Sequence, residues 1–382
     1  MLSTFYIFFA MKDPRITQLA ENLINNAIQL KAGENILIET TDTPDEVSTE
    51  LIKAVEKVGG NAFVHNSNSR VRRQVIKSAT EAQMKLSADL ALAEMKRMQA
   101  YIAIRGADNA MENCDIDDAK MLMYRKMTKE TLDYRVNKTK WCVLRWPNPS
   151  MAQGAKMSTE AFEDFYFKAC LADYPKMADA AKNLIALMNK TDKVRLVAKD
   201  TDITFSIKDI PAVPCCGNMN IPDGEVYTAP VQGSIEGVIH YNTPTLYEGK
   251  QFSGIRLVFK KGKIVEATCE TGDNAQLNAI FDTDEGARYV GEFALGFNPF
   301  VNAPMCDILF DEKIAGSIHF TPGMCYEDAY NGNQSAIHWD LVLIMRPEYG
   351  GGEIWFDDKL IRKDGLFVLD ELKCLNPDQL GA

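Results

Sequence analysis

From Ile16, the apolar residues Leu19, Ala20, Leu23, Ile24, Ala27 and Ile28 recur at the spacing of one helix face, with Pro14 before them and Gly33 after. Ile36-Leu37-Ile38 then reads as a short buried strand. Thr43-Pro44-Asp45-Glu46 offers a hydroxyl N-cap, proline at the first helical position and a glutamate three residues on. A helix is expected from there to Val58, stopped by Gly59-Gly60. Ala62-Phe63-Val64 reads as the next strand, Val71 to Met98 as mostly helix, Tyr101–Ile104 as a third strand and Trp141–Leu144 as a fourth. Strands separated by helices predict a mostly parallel sheet covered on both faces. Ser158 is placed to cap a long helix over roughly Thr159 to Asn189 that bridges to the second half.

After Lys193 the texture changes. Val194–Val197 and Ile203–Ile207 flank a Lys199-Asp200-Thr201-Asp202 turn, Ile255–Phe259 and Ile264–Ala267 flank Lys260–Lys263, and Glu353–Phe356 and Lys359–Arg362 flank Asp357-Asp358. Each arrangement predicts a hairpin. The fold class is therefore α/β: an N-terminal domain with a mostly parallel sheet under helices, and a β-rich, mixed α+β C-terminal domain. A chain of 382 residues exceeds what one core usually organises, and the boundary is expected near residue 190, giving domains 1–190 and 191–382. No Gly-x-Gly-x-x-Gly or phosphate loop follows the first strand, which argues against nucleotide binding there.

Composition narrows the class. Hydrophobic residues at 46% and charged residues at 25% are ordinary globular values, unlike those of disordered or fibrous chains. A formal charge of −11 has the wrong sign for a surface that neutralises nucleic-acid phosphates. No uncharged apolar run reaches the roughly 18 residues of a membrane-spanning helix. The patch Phe5-Tyr6-Ile7-Phe8-Phe9 lacks a basic leader and a cleavage site, so residues 1–12 are expected to be a disordered or weakly docked extension, with Met11 an alternative start. The nine cysteines are scattered without a Cys-x-x-Cys pair and read as buried reduced thiols of a cytoplasmic protein. Only four histidines exist, so a metal site must lean on carboxylates.

Two of those histidines have suggestive company. His338-Trp339-Asp340 opens the apolar stretch Leu341–Met345. On a strand, positions i and i+2 share a face, so one imidazole and one carboxylate would stand side by side. His319 follows Asp311-Glu312-Lys313-Ile314-Ala315-Gly316-Ser317-Ile318 and precedes the bend Thr321-Pro322-Gly323. Upstream, Ile221–Pro230 and Gly291–Gly296 each place a glutamate, Glu225 or Glu292, beside glycine, where backbone can turn closely around a bound group. His65 and His240 lack acidic neighbours at useful sequence spacing and read as structural.

From about Ile16 to the C-terminus the chain resembles the aminopeptidase T-like metallo-aminopeptidases. The stretches that carry the likeness are Arg145-Trp146-Pro147 through Tyr166, Ile221–Pro230, Glu285–Glu292, and His319 through Asp340. By position, the resemblance implies metal ligands at Glu225, Glu292, His319, His338 and Asp340, a further one at Glu312, and an active-site tyrosine at Tyr326. Glu312 is the least securely matched, because it stands further from His319 than the corresponding glutamate of many members. The implied cofactor is two divalent ions per chain, zinc, cobalt or manganese, which that donor set suits. The implied reaction removes N-terminal residues from short peptides through a metal-bridged hydroxide, with Glu292 as the bridging carboxylate and Tyr326 donating to the oxyanion. A cytoplasmic homodimer is also implied. Arg288, four residues before Glu292, is a candidate to orient a ligand carboxylate. The alternative is a mononuclear non-haem iron dioxygenase built on His319, His338 and Asp340, a set typical of non-haem iron enzymes, and some ring-cleaving dioxygenases resemble this same family. A non-catalytic binding protein is the third possibility, against which the retained ligand set argues.

Overall fold

The computed structural model describes residues 13–247 and 249–382, so the expected N-terminal extension lies outside the described residues. They divide into two units, one running to Arg105 and including Asp117–Cys142, the other formed by Gly106–Ile116 and Val143–Ala382. The division falls near residue 142, not near residue 190.

Helices α1 (Pro14–Asn22), α2 (Asp45–Val58), α3 (Ser69–Ser78), α4 (Glu81–Met95) and α5 (Asp118–Lys138) of the first unit alternate with strands β1 (Asn35–Thr41), β2 (Asn61–Ser67), β3 (Ala100–Arg105) and β4 (Lys140–Arg145), the last of which passes the division at Cys142. The strand order is β2-β1-β3-β4, followed by a short fifth strand (Asn220–Ile221) parallel to Val143-Leu144, and β1 runs parallel to both β2 and β3. Ile36, Leu37 and Ile38 are all buried, as a strand covered on both faces requires. Three local expectations need correction. α1 does not continue as a regular helix to Ile28 but passes into a wider π turn over Leu23–Ala27. α2 begins at Asp45 with Pro44 in the N-cap position, so the Thr43 hydroxyl stands one residue too far out and makes no cap. The single helix expected over Val71 to Met98 is two helices, because Ala79 turns extended and Thr80 caps α4 by accepting from the Gln83 amide.

In the second unit, α6 (Pro149–Gly154), α7 (Thr159–Cys170) and α8 (Tyr174–Met188) precede the β-rich part. The long bridging helix is therefore also two, with Pro175 in the first turn of α8. The rings of Phe165 and Tyr166 on α7 lie 5.8 and 6.2 Å from Phe310, and the Tyr174 hydroxyl accepts from the Asp223 amide. These contacts explain why α7 and α8 belong with the C-terminal residues.

Strands follow in two antiparallel sheets. The chain runs through β5 (Lys193–Ala198) and β6 (Thr201–Ser206), then β7 (Val213–Cys215), β8 (Asn220–Ile221), β9 (Glu225–Thr228), β10 (Glu236–His240), the small hairpin of β11 (Thr245–Tyr247) and β12 (Lys250–Phe252), β13 (Arg256–Lys260), β14 (Lys263–Thr268), α9 (Asn274–Phe281), β15 (Val290–Gly296), α10 (Ile308–Asp311), β16 (Ser317–Pro322), β17 (Val342–Ile344), β18 (Gly352–Phe356), β19 (Lys359–Lys363) and β20 (Leu366–Phe367). The large sheet has the order β14-β13-β10-β6-β5-β18-β19-β20, and the three expected hairpins are its β5/β6, β13/β14 and β18/β19 pairs. The second sheet has the order β17-β16-β15-β9-β7. The Phe205 ring of the first sheet lies 5.0 Å from both Phe293 and Phe320 of the second, so the two sheets share a core of interlocked aromatics.

Candidate metal centre

Strand alternation separates that core from the polar cluster. Ala294 on β15 faces Tyr227 on β9 and His319 on β16, while Phe293 faces Thr228 and Phe320. Residues two apart share a face, so Phe293, Leu295, Ile318 and Phe320 face one way. Glu225 and Tyr227, Glu292 and Ala294, and His319 and Thr321 face the other. Glu292 stands opposite Thr321, and a register shift between Val290 and Glu292 sets the first residue of β15 against Pro322.

The segment His338-Trp339-Asp340 lies just before β17 rather than in it. Its middle residue explains its aim. The Trp339 ring packs within 4.6 Å of Tyr247 and 5.7 Å of Phe281, and its indole N–H donates to Thr245 Oγ1. With Trp339 anchored one way, His338 and Asp340 turn together toward the cluster. His338 Nδ1 donates to the Met324 carbonyl at 2.8 Å, which leaves Nε2 directed at the acids. Gly291 permits this approach, since a Cβ there would stand 2.2 Å from the Met324 oxygen.

Two ligand groups result. Glu225, Glu292 and His319 form one, and Glu292, His338 and Asp340 the other. Glu292 belongs to both: Oε1 lies 3.0 Å from His319 Nε2 and Oε2 lies 3.2 Å from His338 Nε2. Asp340 Oδ1 is 3.2 Å from His338 Nε2 and accepts from Thr321 Oγ1 at 2.8 Å. His319 Nδ1 stands 3.4 Å from Glu225 Oε2, and both atoms are buried without a hydrogen bond. Such orphaned donors of electron pairs are costly to bury unpaired and suit a cation between them. The residues present therefore fit a metal centre. Side-chain exposure is 1% for His319 and 17% for His338, so the first group is the inner half and the second the outer half. Tyr326 and Met324 are exposed on the outer side, and the Tyr326 ring centroid is 4.8 Å from that of His338.

Charge follows geometry. Burial opposes protonation of His319, but Glu225 and Glu292 overcome it and raise the imidazole to about 10. His338 is likewise raised well above its ordinary value, with burial opposing and Tyr326 and Asp340 prevailing. Burial pushes Asp340 up, yet His338 outweighs it and holds the carboxyl low. Burial raises Glu225, and it lifts Glu312 to about 8 against the attraction of Lys313.

Glu312 belongs to neither ligand group. It pairs instead with Lys313, whose Nζ lies 2.8 Å from Glu312 Oε1, 2.6 Å from Glu225 Oε1 and 3.5 Å from Asp223 Oδ1. Lys313, Asp223 and Thr321 were not identifiable as site residues from sequence; the charged run Asp311-Glu312-Lys313 does not show that its lysine is buried. Arg288 does not orient a ligand carboxylate: its guanidinium bonds Asp282, Asn278 and the Ile264 carbonyl. His65 and His240 do meet acids in space, Glu94 at 3.2 Å and Glu270 at 3.4 Å, both away from the cluster. Of the cysteines, Cys142, Cys170 and Cys325 are buried, whereas Cys114 and Cys374 are exposed.

Residues 12–348 match the family model described as thermophilic metalloprotease (M29). Aminopeptidase T of Thermus thermophilus is 38% identical over 142 residues, covering 33% of this chain and 34% of that protein, so the match spans about a third of the relative's length. Aminopeptidase PepS of Streptococcus thermophilus is 22% identical over 86% of this chain and 91% of its own. Among solved structures, wild-type AmpT from Thermus thermophilus superimposes with a TM-score of 0.78 at 20% identity, over 93% of this chain and 99% of that one. The 2,5-dihydroxypyridine dioxygenase of Pseudomonas putida gives 0.60 at 14% identity, over 94% and 98%. At such identities the structures speak for the shared fold alone. No helix among the described residues is long and apolar enough to cross a membrane.

Proposed function

The chain belongs to the thermophilic metalloprotease (M29) family, and from that premise we propose that it is a dinuclear metallo-aminopeptidase releasing N-terminal residues from short peptides. The observation that carries the reading is Glu292, a buried carboxylate with one oxygen turned toward each of two histidines. Glu225, Glu292 and His319 would hold one divalent ion, and Glu292, His338 and Asp340 the other. Two such ions supply a polarised peptide carbonyl and a water acidified toward neutral pH.

The protein's own groups do the rest. The Met324 carbonyl holds His338 through Nδ1, so the imidazole presents Nε2 without searching rotamers. Thr321 fixes Asp340 in the same way. Tyr326 stands on the exposed side of the cluster beside His338, and its hydroxyl would donate to the oxyanion that forms as water adds. His338 acts to acidify that phenol, but partial desolvation against the cluster and the charges of Glu292, Asp340 and Glu312 outweigh it and keep the proton in place. A site lined by carboxylates also attracts the cationic α-amine of a peptide, which favours cleavage at the N-terminus. Zinc, cobalt and manganese all suit these ligands. The reading includes a cytoplasmic homodimer, for which sedimentation at micromolar concentration is the check on oligomeric state.

The dioxygenase alternative would use His319, His338 and Asp340 alone around a single iron. Glu225 and Glu292, both buried among those residues, support hydrolysis instead, because they would fill positions an oxygenase leaves open. Metal quantification on the purified chain, coupled to an assay with N-terminally free dipeptides, tests the proposal. Two zinc-like ions per chain with chelator-sensitive release of N-terminal residues is the expected result. One oxygen-sensitive iron without peptide hydrolysis overturns it.

A further inference from the structure

Lys313 takes no part in the reaction proposed above, yet its side chain is only 2% exposed and lies inside the cluster. An ammonium has three N–H donors, and here Glu225 Oε1, Glu312 Oε1 and Asp223 Oδ1 surround it at 2.6, 2.8 and 3.5 Å. Burial of a lysine is tolerated only with such compensation. Asp223 is itself fixed, accepting from the Gly217 and Gly224 amides. The backbone is shaped for the placement as well. At Gly296 a Cβ would meet the Glu312 and Ile314 carbonyl oxygens at 2.8 and 2.7 Å, so glycine lets this segment lie close against the polar face of β15.

Building on the reading that both ligand groups hold divalent ions, we infer that Lys313 is a positioning residue of the metal centre that divides its carboxylates between two kinds of cation. The ammonium claims Glu312, Asp223 and one oxygen of Glu225. Glu225 is thereby held with its other oxygen toward His319, and Glu312 is a ligand of the ammonium rather than of a metal. The inner half, Glu225, Glu292 and His319, shares its charge with Lys313, whereas Asp340 and His338 of the outer half contact no ammonium. The inner half therefore binds its divalent ion more weakly, and the centre loads in order, outer before inner.

Full-length protein stripped with a chelator and titrated calorimetrically with Co²⁺, with visible absorption followed in parallel, tests this. Wild type is expected to take two equivalents with unequal affinities. Glu312→Gln is expected to keep both equivalents and the same Co²⁺ spectrum, because its carboxylate pairs with the ammonium and belongs to neither ligand group. Lys313→Met is expected to tighten the weaker site by about tenfold or more, since it removes a positive charge from the far side of Glu225. Loss of an equivalent, or a changed Co²⁺ spectrum, in Glu312→Gln makes Glu312 a metal ligand and overturns the inference while leaving the dinuclear reading intact. Two equal wild-type affinities, or unchanged affinities in Lys313→Met, also overturn it. Wild type that binds fewer than two ions defeats the dinuclear reading itself. If Lys313→Met does not fold, Glu312→Gln decides alone.

Discussion

Replacing Glu292 by glutamine is the sharpest perturbation of the centre, because it changes charge and leaves shape. The side chain is buried, 3% exposed, and sits on a strand hydrogen-bonded on both sides, so an isosteric amide has no packing reason to disturb the fold. The carboxylate stands 3.0 Å from the His319 ring nitrogen and 3.2 Å from that of His338. A hydrogen bond to a charged group contributes roughly 1.5–3 kcal/mol, so the two together contribute roughly 3–6 kcal/mol. Relief from burying a carboxylate offsets much of that, so the stripped variant should lose about 2 kcal/mol, or roughly 4–8 °C in Tm. The metal-bound state should suffer far more. One anionic oxygen disappears from each ligand group at once, which should weaken each ion by more than about 100-fold, since loss of even an outer-shell partner costs 10–100-fold. With carbonyl polarisation and water activation both impaired, kcat should fall by about a thousandfold or more. The assay is hydrolysis of amino-acid p-nitroanilides by Co²⁺-loaded protein, with ions per chain counted on the same sample. A Glu292→Gln protein that holds two ions at wild-type affinity and turns over within about tenfold of wild type would refute the shared-ligand argument.

Tyr326→Phe should lower kcat by about 10²–10³-fold with metal content unchanged, as for loss of one oxyanion donor; an unaltered kcat in steady-state assays would remove the phenol from the reaction. Metal loading should also be strongly pH-dependent. In the stripped protein both site histidines are raised, His319 to about 10, so each carries an extra proton at pH 7, and imidazole must be neutral to bind an ion. About two protons should therefore leave per chain on loading at pH 7, and affinity should fall as pH falls; calorimetry in buffers of different ionisation heat reads the count, and buffer-independent heats would contradict it. The same shifts fix the sign for stability. A folded pKa raised above the ordinary value of 6.5 stabilises the stripped protein fully below pH 6.5, and that contribution is lost as pH rises through about 10. Thermal melts of stripped protein should accordingly weaken between pH 7 and pH 10.5, and a higher Tm at pH 10.5 would count against the imidazole–carboxylate pairing.

The legible part of the fold is what local rules control. Ile36–Ile38 and Tyr101–Ile104 announced buried parallel strands because both faces are covered, and the Lys260–Lys263 and Asp357-Asp358 turns announced hairpins because charged residues interrupt apolar runs. What was misread depends on tertiary contact. The stretch after Ser158 has helical composition throughout, but Pro175 and the Asp173 cap restart the helix, and the packing of Tyr166 and Tyr174 on the later chain assigns both helices to the second unit. A change from helical to strand-like texture near residue 190 marked a change of secondary structure, not the division between units.

The site was legible for a different reason. In Val-Gly-Glu-Phe-Ala-Leu-Gly and Ser-Ile-His-Phe-Thr-Pro, Glu292 and His319 interrupt strands whose neighbours are all buried, and a charged side chain in such a strand needs a partner. That signal marks the residue but not the partner. Complete burial also erases the alternation that would have shown Glu225, Glu292 and His319 on one face, so their convergence needed the family likeness to suggest and the strand register to display. Lys313 escaped even that. Flanked by Glu312 and Ile314 it looks like any lysine at the edge of a turn, and only Gly296, lacking a Cβ exactly where the segment crosses β15, lets it sink among the acids. A buried cation at a fixed distance from Glu225 means that the carboxylate count of such a motif overstates the charge available to a metal. On the inference drawn above, metal number and order of loading would depend on who else the acids bind, and that is a property of packing around β15 and β16 rather than of the ligand residues themselves.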